Sequence, residues 1–244
     1  MEISGYSERG VINSLFHEIN FSQNNLQLLN DFLSLVSFPY RTVVFQISDA
    51  KILIEQSFSD FGDADAVILV NNQGDKEAVF IEAKVKTSQK PYWSILEEFE
   101  DFESGIKKIS VSSSNLFVQL YHKVRLAKAL QIGGRRQLQN GVKFPRCSSK
   151  TDRKIGNNKV VLKAVEQLEG FCKSPLFIAL VPDDISKLRD FYKDTLKGYS
   201  PEGFQDWDIR NWGYLSWAQV KEFCEEYSLG VTLKTFEWND GQIY

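Results

Sequence analysis

Three side chains near the first third of the chain have the types and spacing to do chemistry on a charged substrate. Asp65 stands at the start of one apolar run, residues 66–70, while Glu82 and Lys84 lie inside a second, residues 78–85. The polar, glycine-containing segment 71–76 between the runs predicts a β-hairpin. Side chains alternate faces along a strand, so Glu82 and Lys84 share one face while Ile81, Ala83 and Val85 take the other. Two carboxylates and an ammonium gathered at one place have the makings of a metal-dependent hydrolytic site. The competing reading of Glu82 and Lys84 is an exposed strand face with an ion pair of little energetic weight. Asp63 is the substitute acid, since alternation gives it the face of Asp65 if the strand reaches that far.

The elements that must position these groups follow from periodicity. Residues 7–19 predict a helix with Val11, Ile12, Leu15, Phe16 and Ile19 on one face. Glu8 falls on or beside that face, either as a first-turn acid favoured by the helix dipole or as a further carboxylate of the site. A second helix is expected over 22–36, ending before Pro39. Segments 42–47 and 51–58 are β-branched and aromatic and read as strands, the second joining the hairpin in a three-stranded antiparallel layer. Glu55 in that strand is an additional acid whose ordinary place is the solvated face. Ser94 and Glu97 form a capping-box spacing that opens a helix ending near Gly105. The serine-rich segment after it caps a helix over 116–130, which carries Gln119. A short helix over 159–168, a buried strand over 175–181 and a helix over 183–197 come next. The aromatic-rich stretch 199–214 reads as an irregular cover. A second capping box, Ser216 to Gln219, opens the last helix, with Trp217, Val220, Phe223, Cys224 and Tyr227 as its buried side.

An aspartate before a short hydrophobic run, then a hairpin, then hydrophobic-Glu-x-Lys, here Asp65 followed by Ile81-Glu82-Ala83-Lys84, resembles the active-site signature of the PD-(D/E)xK nuclease superfamily. The likeness covers Asp65, Glu82 and Lys84 closely and the order of elements more loosely. Ala64 stands where that family has a proline. The resemblance implies an α/β fold with a mixed α+β sheet: the restriction-endonuclease-like αβββαβ core with additional N- and C-terminal helices. It implies Mg²⁺, with Mn²⁺ as a substitute, held by the metal ligands Asp65, Glu82 and the carbonyl of Ala83. Such an ion neutralises the phosphate, favours hydroxide on a bound water and stabilises the leaving oxygen. Lys84 would position or help deprotonate the attacking water. Glu8 corresponds to the carboxylate that many members carry on their first helix. Some subfamilies place Gln-x-x-x-Tyr on the helix behind the site. Gln119 is followed by Tyr121 at +2 and Lys123 at +4, a partial match, and the alternative for Gln119 is solvated surface.

Charge distribution supplies the second functional signal. The chain totals −3, yet between residues 123 and 163 lie Lys123, Arg125, Lys128, Arg135, Arg136, Lys143, Arg146, Lys150, Arg153, Lys154, Lys159 and Lys163, with Asp152 as the single acid. Glycine, proline and serine interrupt the middle of this span, so residues 131–158 read as a basic mobile segment. A charge run can be simply a solvated face. One this one-sided in an acidic chain reads as a footprint for phosphates, with Lys123, Arg135, Arg136, Arg153 and Lys154 as nucleic-acid-binding residues.

At 244 residues the chain suits one domain, 1–244, with a helical, aromatic-rich C-terminal part over 183–244. No apolar run approaches the roughly 18–20 residues of a membrane span, and the N-terminus shows no secretory pattern, so a cytoplasmic protein without a membrane partner is expected. Cys147, Cys172 and Cys224 fit reduced thiols, and with His17 and His122 as the only histidines a Cys/His zinc site is not expected. The expected activity is a Mg²⁺-dependent nuclease acting on DNA in restriction, phage defence or repair. One site cuts one strand, so a duplex cutter is expected to work as a homodimer. The alternative is a catalytically inactive module of the same fold that binds nucleic acid or a protein partner.

Overall fold

The computed structural model describes residues 8–87, 91–146, 150–241 and 243; Ser7, Cys147, Ser148 and Ser149, which figure in the sequence reading, lie outside them. The central hairpin forms between β2 (Asp63–Asn72) and β3 (Asp75–Ala83), with β1 (Ile47–Ser57) antiparallel to β2 on the other side. Gln73 at φ 53° and Gly74 at φ 90° make its two-residue turn. Two successive left-handed residues match the twist of the flanking strands, which is why a glycine sits there. Residues 42–46, expected as part of a separate strand, do not join the ladder, and a single strand begins at Ile47.

Beyond the hairpin the chain makes α3 (Ile95–Lys108) and α4 (Leu116–Asn140), following α1 (Glu8–Phe21) and α2 (Asn25–Ser34) at the N-terminal end. A small separate sheet of β4 (Val142–Lys143) and β5 (Asp152–Arg153) precedes α5 (Lys159–Leu168). Then come β6 (Leu176–Val181), α6 (Ile185–Asp190), β7 (Trp212–Ser216), α7 (Trp217–Glu226) and α8 (Gly230–Trp238). The result is a mixed α/β fold: eight α-helices among the described residues around a five-stranded sheet in the order β1-β2-β3-β6-β7. The β3–β6 and β6–β7 pairs are parallel. A strand with helices on both faces must be apolar throughout, and every residue of β6 is buried.

Each sheet face packs a different set of helices. Val67, Leu69, Ala78, Phe80, Phe177 and Ala179 lie in the core built with α3 and α4. Ile68, Val70, Val79, Ile81, Ile178 and Leu180 lie in the core shared with α1, α2, α7 and α8. The helix starts are set by their caps: the Ser94 side chain accepts from Leu96 N at α3, and Asn115 accepts from Phe117 and Val118 N at α4. Gly105 lets α3 meet the loop that follows it, since a Cβ there would lie 2.9 Å from the Val111 backbone.

Two further expectations are corrected. The basic segment 131–158, read as a loop, is instead largely built: α4 continues to Asn140 past a non-helical Gly134, and β4–β5 follow. Its buried Leu138, Val142, Phe144 and Ile155 anchor it, apolar residues spaced too widely among the charges to show as a periodic stripe. The supposed cover 199–214 ends in β7, a short strand that adds the fifth place in the sheet. Among the described residues no helix is long and apolar enough to cross a membrane.

Candidate active site

The ladder of β3 against α4 positions the central groups. The Lys123 Nζ lies 2.8 Å from Glu82 Oε1, and the Lys84 Nζ donates to Gln119 Oε1. Strand residues two apart are separated by about 6.6 Å and helix residues four apart by about 6 Å, so the two spacings match rung for rung. Glu82 and Lys84 therefore share a face, and that face looks at one side of a helix rather than at solvent. The strand assignment stops at Ala83, but Lys84 N still donates to Leu180 O at 2.9 Å, and the Trp217 Nε1–H donates to Lys84 O at 2.7 Å. The Lys84 backbone is thus fixed on both sides.

Glu82 does not face solvent. Its residue is 1 % exposed and Lys123 0 %. The ammonium donates to Asp63 O at 2.9 Å and Phe61 O at 3.1 Å and makes its ion-pair contact with Glu82 Oε1. Neither carboxylate oxygen of Glu82 has a partner of good hydrogen-bond geometry; Oε1 has the ion-pair contact and Oε2 has none. Burial pushes the Glu82 carboxyl above its ordinary range, with the nearby Lys123 charge opposing and the Asp65 charge adding to the shift.

The β2–β3 register pairs Ala66 with Ile81, which gives Asp65 and Glu82 the next position along the two strands. Asp65 Oδ2 accepts from Ala83 N at 2.7 Å. Its carboxyl is also raised, first by burial; the Ala83 bond and the Lys84 charge oppose this, and Glu8 reinforces it. Glu8, Asp65, Glu82, Lys84 and Lys123 thus form one electrostatic group. Asp63 is exposed and contributes its carbonyl, not its carboxylate, to Lys123. Glu55 turns instead toward α1, where Asn13 and Arg9 meet it.

Beside this group opens a cleft of about 630 Å³ whose lining includes Glu8, Lys84, Trp93, Asp101 and Lys108. Asp65 and Glu82 are not among its lining residues, so Lys84 and Glu8 are the members of the group that border the cleft.

The basic residues divide into two kinds. Lys123, expected to contact nucleic acid, is sealed in the core and is withdrawn from that role. Leu120 and Ala127, one turn either side on α4, are buried as well, and a long side chain on that inward side can bury its stem and find oxygen at its tip. Arg125 is also buried, against Asp206. Arg135, Arg136 and Lys154 are exposed, and Arg153 is half-buried with its guanidinium 5.2 Å from the Phe144 ring centre. The β4–β5 unit is tied to the turn after β1: Lys154 N donates to Asp60 Oδ2 at 3.1 Å, Gly156 N to Ser59 Oγ at 2.9 Å, and Arg153 to Asp60 O. That same turn supplies the Phe61 carbonyl to Lys123. The basic unit therefore stands at the end of β2 that bears Asp65.

Sequence reasoning placed Glu82 and Lys84 on one face but missed what they face. The available signal was the i, i+4 spacing of Gln119 and Lys123 against the i, i+2 spacing of Glu82 and Lys84. Among the described residues no group of three or more His, Cys, Asp or Glu side chains could hold a metal ion. A cation here would have Asp65 and Glu82 as carboxylate donors. The donor chemistry fits a hard divalent ion, which takes oxygen ligands and keeps several waters. The raised carboxyls and the partnerless Glu82 Oε2 are both conditions that a nearby positive charge would relieve. No family model matches the sequence, and no curated protein or solved structure matches it.

Proposed function

We propose that this chain is a Mg²⁺-dependent nuclease that hydrolyses phosphodiester bonds, with DNA as the substrate, on a restriction-endonuclease-like core. The observation that carries the reading is the buried Glu82, with one oxygen against Lys123 and the other without a partner, at the strand position beside Asp65 and two residues from Lys84. The order helix, three antiparallel strands, helices, parallel strand supports the αβββαβ core.

Asp65 and Glu82, with the Ala83 carbonyl, would hold the ion, which when bound supplies charge neutralisation at the phosphate and a more acidic water. Lys84 borders the cleft, fixed by Gln119 at its tip and by Trp217 and Leu180 at its backbone, so its ammonium is held ready to orient a water or offset phosphate charge. Arg135, Arg136, Arg153 and Lys154 would follow the sugar-phosphate backbone beyond the site.

A second reading has its own observation. Glu82 is sealed and already carries a counter-charge, as in a purely structural ion pair, and this favours a binding module without catalysis. Incubation with single-stranded, duplex and branched DNA, in Mg²⁺, Mn²⁺ or EDTA, separates the two. Cleavage that needs the metal and falls at least about 100-fold in Lys84→Ala, with an unchanged melting curve, is the expected result. Binding without cleavage under any metal leaves the module.

A further inference from the structure

The Lys123 ammonium is a fixed positive charge held by oxygens inside the core. Three oxygens converge on it, one carboxylate and two backbone carbonyls, at 2.8, 2.9 and 3.1 Å, and it has no exposed surface. The chain is bent to bring the carbonyls there. Gly62 adopts φ 76°, a conformation costly for other residues, and the carbonyls on either side of it, Phe61 O and Asp63 O, both accept from the ammonium. The Gly62 position itself lies close by, an added Cβ falling 3.6 Å from Nζ. An ammonium has three protons to satisfy when buried, and here the oxygens come from the turn that opens β2 and from the carboxylate on β3.

We infer that Lys123 is a built-in cation occupying the inner of two positive positions around Glu82, so that the site takes a single divalent ion, shared by Asp65 and the remaining oxygen of Glu82. Lys123 is thereby a positioning residue that acts through Glu82: it fixes one oxygen and leaves the other for the ion. The inference rests on the nuclease reading and deepens it. A fixed ammonium cannot exchange, needs no free metal, and holds Glu82 oriented before any ion arrives. Removing it should leave a pocket with the same oxygens that a mobile cation can fill.

Counting bound Mn²⁺ on the whole protein tests this, by electron paramagnetic resonance titration and by elemental analysis after gel filtration. The wild type should bind one ion per chain, lost in Asp65→Asn. Lys123→Ala should bind two, and saturating Mn²⁺ should raise its Tm by several degrees more than it raises that of the wild type. Two ions in the wild type would overturn the inference while leaving the nuclease reading intact, and that count needs no variant. A Lys123→Ala protein that folds yet binds no additional ion and gains no additional stability would overturn it as well. No ion in the wild type would remove the nuclease reading together with the inference.

Discussion

Both faces of the central sheet are dry, but they are dry in different ways. Against α1, α2, α7 and α8 the strands present Ile68, Val70, Val79, Ile81, Ile178 and Leu180, and the polar groups buried nearby, Thr232, Thr235 and Asn239, are neutral. The buried charged side chains Glu82, Glu98, Lys123, Arg125 and Asp183 all sit in or against α3 and α4. Two of them cap helices: Glu98 accepts from Leu116 N and Asp183 from Ile95 N, both of which would otherwise be orphan donors. Arg125 meets Asp206 and the Lys143 carbonyl. Glu82 caps no helix, while Lys123 meets the Phe61 and Asp63 carbonyls of the turn that opens β2. A buried ion pair seldom stabilises more than apolar residues of the same size would. The two faces therefore differ in where buried charge is kept, and on the proposed nuclease function the sheet divides a packing half from a working half.

The strongest way to break that comparison is to remove charge from the working half. Lys123→Met alone strands Glu82 in the core and should destabilise the metal-free protein by about 3–5 kcal/mol. The double change Glu82→Leu with Lys123→Met should recover most of that loss, because the desolvated charges go together. On the packing half, Ile178→Val should cost about 0.5–1.5 kcal/mol, with no partner that rescues it. Urea unfolding of the wild type, Glu82→Leu, Lys123→Met and the double variant gives the coupling directly. Additive losses from Glu82→Leu and Lys123→Met would mean that the pair is not coupled and that the two faces differ only in composition.

A smaller effect separates buried from exposed charge. Arg135, Arg136 and Lys154 are open to solvent, whereas Lys123 is not. If the exposed set meets phosphates, neutralising all three should weaken DNA binding and lower the slope of log affinity against log salt by roughly one for each phosphate no longer neutralised. Fluorescence anisotropy across a salt series reads both quantities. An unchanged slope assigns these residues to solubility.

The same division explains what is legible in the sequence. The hairpin, the continuous apolar run of β6 and the capping box at Ser216 are local signals that lie where pattern and capping chemistry put them, while Ser94 starts α3 as a cap through Leu96 N rather than through the expected box with Glu97. Glu82 and Lys84 are visible because polar residues interrupt an apolar strand at a spacing of two. The fates of Lys123 and Gln119 are not visible, because a basic residue on a helix reads as solvated until the facing strand is known. β7 begins Trp-Gly-Tyr after an irregular stretch, and nothing in its length distinguishes it from a loop; the parallel neighbour β6 makes it a strand. Its Gly213 reflects close packing, since a Cβ there would fall 2.7 Å from Val36. α8 escapes notice because Gly230 stands at its start and its hydrophobic residues do not form a single stripe. The extension of α4 hides for a different reason: its exposed residues, Arg135 and Arg136 among them, surround a single buried one, Leu138, so no stripe shows.

The finest test of the partition concerns Asp65, which lies at its edge. Burial holds the Asp65 carboxyl above its ordinary value of 3.8, despite the bond from Ala83 N and the charge of Lys84. A carboxyl with a raised folded pKa makes the folded state bind more protons than the unfolded chain in the window between the two values. Its contribution to stability is complete below the unfolded pKa and is lost as pH rises through the folded one. Asp65→Asn keeps an oxygen that can accept from Ala83 N but has no charge to bury. In EDTA at pH 7.5 it should melt higher than the wild type, by about 1–3 °C for a chain of this size, and the gap should close as the pH approaches 4. Saturating Mg²⁺ should reverse the order, since only the wild type gains an ion. A variant less stable than wild type at pH 7.5 without metal would mean that Lys84 and Ala83 outweigh burial at Asp65, and that the acidic end of β2 belongs to the packing half after all.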